Sequence, residues 1–179
     1  MACISKLANG IAYNCDGGAT GIDSAVIINK ADIASFNVVG GGVVSALTLA
    51  PGAKAYKIDT VKRSLVLSTA LKVNEGAPNA FTHTATLTDM THATSGAHFN
   101  ISSAMSNGSF VIISRRAGGT YAVVSGLYYG MSATAYDQNS HENGAWSTIT
   151  LETPENVIGE DNLSMTREGY DALYAAAVE

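Results

Sequence analysis

Ser109-Phe-Val-Ile-Ile-Ser-Arg-Arg116, Ala117-Gly-Gly119 and Thr120-Tyr-Ala-Val-Val-Ser-Gly126 are two runs of β-branched and aromatic residues joined by a glycine turn. β-Branched side chains fit a pleated surface, and glycine supplies the backbone angles of a tight turn, so this stretch predicts a β-hairpin. It sets the class of the whole chain as mainly β.

Working outward, Ala25-Val-Ile-Ile-Asn-Lys30 reads as a buried strand after the turn signal Asp16-Gly-Gly-Ala-Thr-Gly21. Asp32 to Val39 extends that sheet, Gly40-Gly-Gly42 makes a corner, and Val43 to Leu49 forms the next strand, ended by Pro51-Gly52. Lys54 to Val73 lacks Gly and Pro and is dense in Val, Leu, Thr and Tyr, which predicts a long extended arm. Asn74 to Asn79 supplies turn chemistry, and Ala80 to Asp89 alternates Phe81, His83, Ala85 and Leu87 against threonines, as a half-buried return strand does. The equally weighted alternative breaks the arm near Thr60 to Arg63 into two ordinary strands. Met90 to Asn107 changes period, with Ala97, Ile101, Ala104 and Met105 on one helical face and Gly108 as the stop. Tyr128 to Tyr136 and Trp146 to Glu152 predict further strands around the polar loop 137–144. The C-terminus reads as a helix capped by Thr166, with Tyr170, Leu173, Tyr174 and Ala177 on one face.

With 179 residues, one domain spanning 1–179 is expected. A hydrophobic share of 46% against 14% charged residues supplies enough apolar surface to offset ordering entropy and excludes a disordered chain. The net charge of −5 disfavours a nucleic-acid binder, which needs a basic face, while suiting a surface past which DNA slides without adhering. Met1 to Gly10 lacks the pattern of a signal peptide, and no apolar run reaches the roughly 20 residues that span a bilayer, so a cytoplasmic site of synthesis and no membrane partner are expected. Cys3 and Cys15 are read as structural thiols, with a small disulfide-closed loop as the alternative.

The chemical motifs are sparse. Neither a nucleophile elbow nor a phosphate-binding loop occurs, so no catalytic residue, cofactor site or enzymatic activity is expected. His83, His92 and His98, with Asp89 nearby, are the one cluster resembling metal ligands, but they lack paired spacing, and surface histidines are the expected reading. Glu152, Glu155, Glu160 and Asp161 read as a solvated acidic loop, and Arg115 and Arg116 as exposed charges at a hairpin end. Lys54, Lys57, Lys62, Arg63 and Lys72 fit either solvated charges or a face that pairs with a neighbour.

The order of these elements resembles the tail-tube (major tail) proteins of tailed bacteriophages, especially those of phages infecting gut Bacteroidetes. The likeness is carried by the Met1-Ala-Cys start, the Val43 to Leu49 strand running into Gly52-Ala-Lys-Ala-Tyr-Lys57, the Lys54 to Thr88 excursion with the helix after it, and the Phe110 to Gly126 hairpin. It covers most of the chain to Leu151; the polar, Gly-containing helix and the C-terminal extension of about 154–179 depart from the pattern. The resemblance implies a β-sandwich or barrel with an extended hairpin at about 54–89, a flanking helix and a short C-terminal helix. It further implies homo-oligomeric rings, usually hexamers, stacked with other tail proteins into a virion tube that DNA traverses unbound. Val61, Leu65, Leu67, Leu71 and Val73 on the arm and Phe81 on its return are the residues nominated for assembly. A neck or baseplate ring and a capsid-decorating protein remain alternatives. From a different class, a carbohydrate-binding sandwich would use Tyr128, Tyr129, Tyr136 and Trp146 as a stacking platform.

Overall fold

The computed structural model describes residues 21–58, 60, 64–76, 78–89, 96–138, 146–154 and 160–178, the side chains of 96–99 excepted. The fold is mainly β, as expected, with one mixed sheet of eleven strands and two helices. In chain order the strands are β1 (Ile22–Asn29), β2 (Ile33–Val39), β3 (Val43–Leu49), β4 (Ala55–Ile58), β5 (Leu65–Lys72) and β6 (Ala80–Asp89). Helix α1 (Gly96–Asn107) leads into β7 (Ser109–Arg116), β8 (Tyr121–Ser125), β9 (Met131–Gln138), β10 (Ser147–Glu152) and β11 (Leu163–Thr166), and α2 (Arg167–Ala176) follows.

The deciding hairpin forms at the centre. β7 pairs with β8 on one edge, and on the other it lies antiparallel to β1 from Phe110 to Arg116. Because β1 and β7 are covered on both faces, their sequences are continuous apolar runs rather than alternating ones. Val26, Ile28, Val111 and Ile113 point into a core shared with Val44, Ala122, Val124, Leu163, Met165 and Tyr170 of α2. Ala25, Phe110 and Ile112 point the other way, against Leu65, Ala85, Met131, Ile149, Leu151 and Met105 of α1. Burying an aliphatic side chain contributes about 1.5–3 kcal/mol, so this pair of strands carries a large share of the stability.

The sheet changes direction at Gly126 and Gly130, whose φ angles of 79° and 76° lie in the left-handed region. There β8 passes into β9, which touches β7 only at Ser109 and Phe110 before turning away to pair with β10. The expected Tyr128 to Tyr136 strand therefore starts at Met131. From β10 the order continues through β6 to β5, and from β8 through β11 and β3 to β2. The result is sandwich-like, with β7 contributing to both halves.

One expectation needs correction. The Lys54 to Val73 stretch is not one arm: β4 pairs with β1 and β5 with β6, so the chain divides, as the alternative held. What remains is a hairpin of eight- and ten-residue strands, β5 and β6. Within the C-terminal extension, β11 is inserted between β8 and β3, parallel to the latter.

Candidate assembly surface

The β5–β6 hairpin presents one face in four cross-strand steps: Leu65 opposite Leu87, Leu67 opposite Ala85, Thr69 opposite His83, and Leu71 opposite Phe81. Strand side chains alternate, so these residues share a side with Val73. Leu65 is 4% exposed and belongs to the subunit's own core, and Leu67 packs partly against it. Beyond Thr69 that core ends. Leu71 is 57% exposed and Val73 71% exposed, while Phe81 is half-buried. Of the residues nominated for assembly, Leu65 is thus an intramolecular core residue, Leu71 and Val73 are available, and Val61 lies outside the described residues.

The polar step between the two apolar ends pairs an exposed residue, Thr69, with a buried one. His83 is fully buried. Its Nε2 lies 3.1 Å from the Asp161 carbonyl, which can only accept, so Nε2 carries the proton and Nδ1 accepts from the Thr69 hydroxyl at 3.0 Å. Burial pushes the imidazole pKa down, favouring this neutral tautomer. The surface reading of His83 is therefore corrected; His92 and the His98 side chain lie outside the described residues, and no group of three metal-ligating side chains occurs among those described.

Glu160 overturns the solvated-loop reading. It is 1% exposed, and its main chain pairs with that of Phe81 through N–H···O bonds of 2.8 and 3.1 Å. Its carboxylate accepts from the backbone N–H groups of Tyr129 at 2.6 Å and Tyr128 at 3.1 Å. Burial raises its pKa, opposed by those two bonds and by the Lys30 ammonium. Lys30 in turn sits 5.3 Å over the Phe36 ring, which meets Tyr128 edge-on at 5.5 Å. Through its main chain and its carboxylate together, one buried residue thereby ties the far end of the hairpin to the β8–β9 corner. Sequence reasoning missed it because nothing near Glu160 has the period of a core element.

Arg115 is likewise no free charge. It spans Asp23 of β1 and Asp171 of α2 at 2.7 Å each and lies 5.6 Å over the Tyr170 ring. Arg116 is exposed. Of the four proposed stacking aromatics, Tyr129 and Tyr136 are 40% and 43% exposed, whereas Tyr128 and Trp146 are half-buried.

Three strands pair with a single other strand among the described residues: β2 with β3, β5 with β6, and β4 with β1, the last also meeting Val178 in an isolated bridge. β2 carries no charge, and β5 carries one, Lys72 at its end. Lysines, prolines and bulges are the usual devices that block edge-to-edge pairing, and β5 has neither a proline nor a register shift. Scans against family models, curated proteins and solved structures return no significant match.

Proposed function

We propose that this chain is a structural subunit that closes into a homo-oligomeric ring and stacks into a tube, as a virion protein of a phage tail. The observation that carries this reading is the hairpin whose apolar stripe outlasts the subunit's own core. Leu71 and Val73 are exposed beside a charge-poor strand edge, an arrangement that favours strand addition and apolar burial by a neighbour. β5 is eight residues long without a register shift, whereas β2 is seven residues long with two, so β5 is the edge offered to a neighbouring copy. In this reading the role is geometric and non-catalytic, with DNA passing through the lumen unbound. A neck, baseplate or capsid-decorating ring would use the same surfaces.

Negative-stain electron microscopy of purified protein, with light-scattering mass at several concentrations, tests it. Rings or tubes with a central hole, in a sixfold or related copy number, are the expected outcome. A compact monomer at every concentration that binds glycans through Tyr129 and Tyr136 would replace the ring with a carbohydrate-binding module.

A further inference from the structure

β11 covers only the first part of β3. The two strands pair at Val43 and Val44, and at Thr166 the chain leaves the sheet to begin α2. Over residues 45–49 that edge of β3 therefore has no partner strand among the described residues, while its other edge is paired with β2. α2 passes beside the open edge and leaves a groove of about 230 Å³ between Val44, Ala46 and Leu47 of β3, Met165 of β11, and Gly169 and Leu173 of α2. Val44 and Met165 are buried core residues, but Leu47 and Leu173 are only partly buried, so the core is left open here. An apolar cavity of about 150 Å³ already admits a benzene-sized group, so aliphatic side chains fit this one. An open strand edge beside an apolar groove is the arrangement that takes up an extended segment, with backbone pairing along the edge and alternate side chains entering the groove.

The same chain carries a segment of matching form. Leu71 and Val73 stand exposed on one face at the end of β5, two residues apart, beside an edge that pairs with no other strand. β3 and β5 lie towards opposite ends of the strand order, so the patch of one copy and the groove of the next make a head-to-tail contact. We propose that the groove between β3 and α2 is the acceptor for residues 70–73 of a second copy, whose Leu71 and Val73 side chains enter it while its backbone pairs with β3 over residues 45–49. The inference rests on the ring reading for its donor and adds the acceptor and a polarity: each copy gives a hairpin on one side and takes one on the other, and neither surface pairs with itself.

A mixing experiment tests it. Ala46→Glu sets a charge at the rim of the groove, at an exposed position, and Leu71→Asp with Val73→Asp removes the donor. In sedimentation velocity each full-length variant alone should run as a monomer, and an equimolar mixture should double that mass as a 1:1 dimer, because one copy keeps its hairpin and the other its groove. Assembly of Ala46→Glu like that of the parent overturns the acceptor and leaves the ring reading standing, and a mixture that stays monomeric overturns the acceptor as well. A parent that is itself monomeric at every concentration defeats the ring reading, and trapping then decides the groove. With Cys3 and Cys15 replaced by serine, Ala46→Cys in one copy and Val73→Cys in another should form a mixed disulfide about tenfold faster than either variant couples to itself, through the raised local concentration of the two thiols. Equal rates overturn the proposal, and the same trapping decides it should Ala46→Glu not fold.

Discussion

Glu160 and His83 are buried a few ångströms from the same stretch of backbone, yet they bend the pH dependence of stability in opposite directions. Burial raises the Glu160 pKa above its ordinary 4.5, so the unfolded chain releases that proton first. The Glu160 contribution is therefore most favourable below 4.5 and is lost as pH rises through the raised value. His83 has its pKa lowered from 6.5, so its contribution is complete above 6.5 and is lost as pH falls through the lowered value. Urea titrations across pH 4–8 should show the acid-side loss diminished in His83→Gln and the neutral-side loss diminished in Glu160→Gln. Profiles parallel to that of the parent protein would remove both residues from the account. At the corner, a Cβ on Gly126 would meet Met131 Cγ at 2.6 Å and the Phe110 carbonyl at 3.0 Å. With its positive φ added, Gly126→Ala should cost about 2–4 kcal/mol, read as a lowered urea midpoint.

Among the elements, α2 matches its sequence closely. Thr166 accepts from the Gly169 N–H at 3.3 Å, and the face of Tyr170, Leu173, Tyr174 and Ala177 packs against the core. Removing the cap in Thr166→Ala should destabilise by about 1 kcal/mol, seen as a lower melting temperature. Arg115→Ala should cost a similar amount, about 1 kcal/mol, and the loss should shrink in high salt because both Asp partners are half exposed. The central hairpin and most strands were legible for the same reason as α2: their periodicity was strong and bounded by Gly or Pro. β11 was not, because Leu-Ser-Met-Thr is only four residues long and owes its strand state to β8 and β3, which bracket it from far away in sequence. Helix α1 forms, but its predicted face is only partly used: Met105 is buried, while Ile101 and Ala104 are exposed. Serine-rich helices such as this one show period without declaring which side faces inward.

For the whole molecule, the candidate surface was legible as an alternating pattern but not as a boundary. The sequence does not mark where the hairpin leaves its own core, since Leu67 and Leu71 read alike and differ only in what lies beneath them. Replacing Leu71 and Val73 together with Asp should leave the unfolding free energy of the isolated subunit within about 0.5 kcal/mol of the parent, as exposed substitutions do. The same change should abolish higher assemblies in sedimentation velocity. Persisting assemblies would move the interface elsewhere.

The dual membership of β7 has a further consequence, in time rather than space. A nascent chain makes β1 through β6 before the strand that joins its two halves exists, and β1 meets β7 across some eighty intervening residues. β11, which completes the contact between β3 and β8, emerges later still. Such distant pairings predict slow folding that waits on nearly the entire chain. A ribosome-bound fragment ending before β11 should remain protease-sensitive, so that only finished subunits enter the pool from which any larger structure is drawn.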